Sequence, residues 1–227
     1  MGAGLKFPCT TAFVIAAAVI VHLIPGAVNT LQYDRAAIAG GEVWRWLTGH
    51  LTHFGSNHLW WDLAVFAALG VVVERQAPGR MLAVLCAGAA AIPAALWCFQ
   101  PQFEFYRGLS GLDCALAGLL VASLAGRREW VARMTAVGTI ILVAGKCSYE
   151  LVTAETLFAA GRDYVPVPLA HLVGFGIGVG SVALEYVVGL GQRIVRRFGP
   201  AHRCAPIPAG STLRTVCNLS GGALVRK

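Results

Sequence analysis

Apolar residues run along this chain in six long blocks separated by polar stretches: Phe7–Ile24, His58–Val73, Met81–Phe99, Ser110–Ala125, Trp130–Gly145 and Pro166–Leu190. Runs of roughly 17 to 25 apolar residues match the length of a helix that crosses the hydrocarbon core of a bilayer. The pattern predicts six membrane-spanning helices, with the second, fourth and fifth short. In lipid every backbone N–H and C=O must be bonded internally, which a helix achieves within one segment. The predicted class is therefore all-α. It is a polytopic six-helix membrane bundle over 1–190, followed by a basic, disordered tail over 191–227.

Charge in the intervening segments sets the orientation, because Lys and Arg are retained on the cytoplasmic side. With the N-terminus inside, Lys6, Arg75, Arg80, Arg127, Arg128, Arg133 and the seven basic residues of the tail are cytoplasmic, thirteen in all. The other side holds four, Arg35, Arg45, Arg107 and Arg162, with Lys146 at the outer end of the fifth helix. Both termini are thus expected in the cytoplasm. The first block could pass for a signal peptide, but Ile24-Pro25-Gly26 is a poor small-residue cleavage site, and a retained span is expected.

Composition agrees with a membrane protein. The 227 residues are 57% hydrophobic and 13% charged, against about 25% charged in a soluble domain. A net charge of +7 can draw nucleic acid. Seven of the eighteen Lys and Arg, however, lie in the last 37 residues, where they suit anionic headgroups. The bilayer, and not nucleic acid, is the expected partner. Seven cysteines (Cys9, Cys86, Cys98, Cys114, Cys147, Cys204 and Cys217) show no metal-knuckle or redox spacing and are read as small apolar residues.

Candidate chemistry centres on GLSGLD, Gly108 to Asp113, where a serine between glycines opens the fourth helix. A hydroxyl there can act as a nucleophile. Equally, Ser-x-x-Asp at a helix start is a capping box, with Ser110 accepting from the backbone and Asp113 returning the bond. His58 opens the second helix and His171 lies five residues into the sixth, roughly 8 Å below its start. All three residues enter from the outer face and share a shallow layer, and ionisable groups inside a membrane are functional candidates. Gly111, Ala115, Gly118 and Ala122 in the fourth helix, and Gly174, Gly178 and Ser181 in the sixth, form small faces that let helices approach.

Close packing of these faces would bring Ser110 to His171 as a nucleophile and its base. The alternative for His171 is a plain hydrogen-bonding role in the bundle. No carboxylate stands at an obvious third position, since Glu155 and Asp163 belong to the loop before the sixth helix. His58 and Asp62, four apart, share a helix face. They can donate to an oxyanion, but Asp62 only if burial keeps it protonated. The preferred reading is that Asp62 fixes the tautomer of His58. His50 and His53 raise the question of zinc with His58 and Asp62. Their spacing matches no metal motif and no HExxH occurs, so no metal and no cofactor is expected, and the loop histidines are read as partners of backbone groups.

Taken in order, Glu42-x-Trp44-Arg45, GHLTHFGSNHLWWD from Gly49 to Asp62, Gly70 with Glu74 and Gly79, GLSG from Gly108 and AHLVG from Ala170 resemble the rhomboid family of intramembrane serine proteases. The resemblance covers most of the span from Tyr33 to Gly180. It implies Ser110 as nucleophile and His171 as general base. It further implies an oxyanion-supporting set of His58, Asp62, Gly108 and the Ser110 backbone amide. Asparagine is usual in the family where Asp62 stands, so the side-chain part of that set departs from the pattern.

Within the family, YDRAAI from Tyr33 to Ile38 and the following GEVWRWLTGHLTH are similar to the rhombosortase subgroup, whose members process bacterial proteins bearing a C-terminal Gly-Gly, apolar helix and basic tail. The implied substrates are membrane-anchored proteins cut near the periplasmic face of the bacterial inner membrane. Two rival readings are an inactive rhomboid-like protein that binds membrane partners, supported by Asp62, and a small transporter relaying charge through Lys146, Glu150 and Glu155. Lys146 and Glu150, four apart, are read as a pair at the membrane edge. The tail's own Ser220-Gly221-Gly222 before Arg226 and Lys227 lacks an apolar span and is read as coincidence. The sequence carries no signal for oligomeric state.

Overall fold

The computed structural model describes residues 7–153, 155 and 166–198. The chain divides into two units, Met1–Tyr186 and Val187–Lys227. The first holds every side chain considered below. Nine α-helices are described, with a 3-10 turn at Gly49–Leu51: α1 (Cys9–Leu23), α2 (Ala27–Leu31), α3 (Arg35–Ala39), α4 (Arg45–Thr48), α5 (Ser56–Gln76), α6 (Pro78–Phe99), α7 (Ser110–Ala125), α8 (Trp130–Thr153) and α9 (Pro168–Phe198). Residues 199–227 of the predicted tail, with Ser220 to Gly222, lie outside the described residues, as do Lys6, Arg162 and Asp163.

Among the described residues four helices are long and apolar enough to cross a membrane: α5, α6, α8 and the Pro168–Val188 part of α9. α1 and α7 are apolar but shorter. The six predicted blocks thus all become helices, two of them below the length that would identify a span on its own. For α7 the shortness has a physical reason: twelve of its sixteen residues are buried, from Gly111 to Val121 and at Leu124. A helix wrapped by its neighbours has little surface to match to the hydrocarbon core. Its partners include α5, α6 and α8, and Phe66, Ile92, Leu96, Leu116 and Leu119 are buried in the core beside it.

The end of the fifth predicted helix needs correction. The apolar pattern breaks at Lys146, which placed the end at Gly145, yet α8 continues to Thr153. The two charges responsible, Lys146 and Glu150, pair one turn apart within the helix. The Glu150 side chain is only 1% exposed. They are therefore not a pair at the end of a span.

Pattern reading also missed a small antiparallel ladder, β1 (Tyr33–Asp34) with β2 (Phe105–Tyr106), in which Tyr33 faces Tyr106 and Asp34 faces Phe105. Strands of two residues leave no alternation to detect. The ladder ties the segment before α3 to the loop that leads into α7. Arg107 Nε adds a 2.6 Å bond to Gln32 Oε1. Arg45 then locks this segment, bonding Glu42 Oε2 at 2.7 Å and the carbonyls of Asn29 and Gln32 at 2.7 and 3.2 Å.

At the other end of α5, Glu74 accepts from Thr10 N, Thr11 N and Thr11 Oγ1 at 2.8, 2.8 and 2.7 Å. The N-cap of α1, Pro8, makes no side-chain cap bond, so a carboxylate from another helix satisfies its orphan donors and faces the positive end of its dipole. Glu74→Ala should lower stability by about 2 kcal/mol, and Glu74→Gln by less because one acceptor oxygen survives. Denaturant unfolding in micelles measures both.

Candidate functional site

Gly108 turns the chain into α7 with φ 122°, a left-handed conformation that L side chains rarely adopt. A Cβ there would also come within 3.0 Å of Asp62 Oδ2 and His58 Nε2. The turn brings Leu109 N to Asp62 Oδ2 at 2.9 Å. A carboxylate on α5 thus accepts an N–H at the mouth of α7, and the capping box expected of Ser110 and Asp113 does not form. Leu109 is the N-cap and makes no side-chain cap bond, while Ser110 is the first helical residue. Asp113 is buried, and its Oδ1 has no hydrogen-bond partner among the described residues.

With the helix start satisfied from α5, the Ser110 hydroxyl faces α9. Its Oγ lies 3.0 Å from His171 Nε2. The two small faces allow this approach. A Cβ added to Gly174 would sit 2.0 Å from Gly111 O, one on Gly178 2.1 Å from Ala115 O, and one on Gly118 2.2 Å from Phe175 O. Backbone meets backbone along this seam. Ser181 uses its hydroxyl within α9, donating to Gly178 O at 2.7 Å.

On its other side, His171 Nδ1 lies 3.1 Å from Glu150 Oε2. Glu150 Oε1 accepts from Lys146 Nζ, and that ammonium is 3.4 Å from His171 Nε2. Glu150, which the sequence did not single out for this position, stands beside the ring because α8 runs past the predicted end. Asp163 lies outside the described residues.

The oxyanion-supporting set expected from His58, Asp62 and Gly108 converges on one oxygen. His58 Nε2 and His53 Nε2 each lie 3.3 Å from Asp62 Oδ2, with the two rings edge to face at 5.2 Å. His50 belongs elsewhere. It reaches Ala89 O on α6 at 3.2 Å and stacks edge-on against Tyr106 at 5.5 Å. Among the described residues no group of three or more His, Cys, Asp and Glu is arranged to hold a metal ion.

Burial, partly offset by its backbone bonds, pushes His50 down to about 4. Its unfolded value is near 6.5, so the folded state holds the neutral ring. The stability this confers is complete above about pH 6.5 and is lost as pH falls toward 4, by on the order of 3 kcal/mol. Unfolding midpoints across that window should decline more steeply in the wild type than in His50→Gln.

Ser110 and His171 open onto a cavity of about 750 Å³. Its wall is mainly apolar, with Trp61 and Val65 from α5, Ala117 from α7, and Leu142 and Val143 from α8. Asp62, Asp113, Lys146 and Glu150 complete the polar end.

The family profile described as "Rhomboid domain" matches residues 40–187 of the 227. The chain belongs to the rhomboid family. It is a multi-pass membrane protein. Comparison with curated proteins gives no match. The match takes in the polar side chains described around the cavity of this rhomboid, from His58 to His171, and leaves the β1 strand outside. The GLSG and AHLVG segments singled out in the sequence are the two that meet at 3.0 Å. Glu150 and the Asp62 to Leu109 N bond were missed, and only the i, i+4 spacing of Lys146 and Glu150 hinted at a polar cluster.

Proposed function

We propose that this rhomboid is an intramembrane serine endopeptidase that uses Ser110 and His171 to cut membrane-anchored proteins near the periplasmic face of a bacterial inner membrane. The observation that carries the reading is the 3.0 Å approach of Ser110 Oγ to His171 Nε2 at the end of an apolar-walled cavity. In the proposed topology α1, α5, α6, α7, α8 and α9 are the six spans and both termini are cytoplasmic.

In the reaction, Ser110 Oγ attacks a peptide carbonyl carbon while its proton passes to His171 Nε2. The imidazolium returns that proton to the departing amine, which leaves an acyl ester on Ser110. Water, deprotonated by the same nitrogen, releases the acid and restores the hydroxyl. The developing oxyanion needs N–H donors. The first-turn amides of α7, Ser110 N among them, are placed for this because no preceding turn uses them. Asp62 accepts from Leu109 N, so its part in the site is to hold the loop and the His58 ring. The donor role of an amide side chain does not pass to it.

The proposed substrates carry a C-terminal Gly-Gly, apolar helix and basic tail. Glycines near the scissile bond favour cleavage because an intact helix keeps its carbonyls in backbone bonds. A fluorophosphonate should label the wild-type protein at Ser110, and a reporter bearing such a tail should be cut in lipid vesicles. A protein that is folded yet neither labelled nor active would be the inactive, partner-binding rhomboid that the Asp62 carboxylate favours.

A further inference from the structure

The imidazole of His171 lies between two groups from different helices. Ser110 Oγ is 3.0 Å from Nε2, and Glu150 Oε2 is 3.1 Å from Nδ1. The chain from hydroxyl to imidazole to carboxylate thus runs from α7 through α9 to α8. The geometry points to Glu150 as a positioning residue that completes a Ser110–His171–Glu150 triad, with Lys146 bound to its second oxygen as a counter-ion.

The inference rests on the protease reading above and adds to it a third residue that neither the family's motifs nor the sequence pattern supplied. Three features carry it. First, Glu150 Oε2 stands 3.1 Å from Nδ1 with its side chain 1% exposed, so water screens this charge contact little; as placed, neither atom makes a hydrogen bond among the described residues. Second, a carboxylate beside Nδ1 favours the tautomer protonated there, which leaves the Nε2 lone pair toward Ser110 Oγ at 3.0 Å, with Lys146 Nζ farther off at 3.4 Å. The wrong tautomer would place an N–H against the hydroxyl and leave no base. Third, Lys146 bonds Oε1. A buried carboxylate without a partner is costly; with the ammonium on one oxygen, the other stays charged beside the ring, 3.1 Å from Nδ1.

Lys146 also explains why the carboxylate is needed. Its Nζ is 3.4 Å from Nε2, so a positive charge already stands beside the ring before it takes the proton from Ser110. Charge on the imidazolium would be opposed by that ammonium alone. Glu150, touching both cations, offsets the repulsion as the proton arrives. The other ionisable groups near the ring are Asp62 on α5 and Asp113 and Cys114, which line the same cavity on α7.

The full chain in lipid vesicles tests this, comparing wild type, Glu150→Gln and Glu150→Asp. The probes are fluorophosphonate labelling of Ser110 and the kcat and KM for a fluorescent protein carrying a Gly-Gly, apolar helix and basic tail. Glu150→Gln should lower the labelling rate and kcat by about 100-fold or more while KM stays within about twofold. Glu150→Asp should recover about tenfold. A wild type that does not label Ser110 sinks the protease reading and the triad with it. A labelled wild type beside a folded Glu150→Gln within about threefold of it leaves the protease reading standing and overturns the role of Glu150. Should Glu150→Gln not fold, isotope-labelled histidine in the wild type decides. A strongly deshielded proton on His171 Nδ1 supports the triad, and an Nδ1 without a proton at neutral pH overturns it.

Discussion

Ser110→Ala should reduce both fluorophosphonate labelling and cleavage of a tail-anchored reporter to background, with no more than a small change in unfolding midpoint. Loss of the nucleophile in a serine hydrolase costs on the order of a million-fold in kcat, far beyond what any other single change here is expected to do. The structural cost is slight. The hydroxyl's bond to His171 Nε2 is worth about 1 kcal/mol net, and the α7 start is held by Leu109 N on Asp62, not by the serine. Activity and stability therefore separate cleanly. Retained cleavage in a folded Ser110→Ala protein would remove the nucleophile assignment.

Gly174→Ala should damage stability and activity together. Its methyl would stand 2.0 Å from Gly111 O, against backbone that cannot rotate out of the way. Relief requires α7 and α9 to part by about 1 Å, an overpacking cost of about 1 to 3 kcal/mol. Parting also lengthens the 3.0 Å Ser110 to His171 approach, and a misplacement of about 1 Å can cost roughly 100-fold in rate. Gly176→Ala is the matched control, since a Cβ there meets nothing within 4 Å. Equal behaviour of the two variants, measured by unfolding and by labelling rate, would show that the seam does not set the catalytic distance.

How far the sequence could be read depended on whether the deciding interaction was local. α7 occupies the predicted Ser110–Ala125, because glycines mark both of its ends. The small faces of α7 and α9 were visible as spacings, and their meeting explains how Ser110 and His171 come together. Local rules failed where a distant group took over. Ser110 and Asp113 fit a capping box, yet Asp62, 47 positions earlier, takes the Leu109 N–H. Lys146 ended an apolar run and so hid the two further turns of α8 that bring Glu150 to His171. Of the loop histidines, His50 does bond a backbone carbonyl, while His53 turns to Asp62. Spacing relates residues on one helix; it carries no information on which carboxylate a neighbouring helix will present.

The two borrowed caps share a source. Asp62 near the start of α5 holds the mouth of α7, and Glu74 near its end holds the start of α1. These anchors are twelve residues apart, from 62 to 74, or about 18 Å along the axis. A rod pinned at two such points cannot swing outward without tearing one of them or hauling a neighbour along. Any tilt of α5 is therefore felt at once by both α1 and α7.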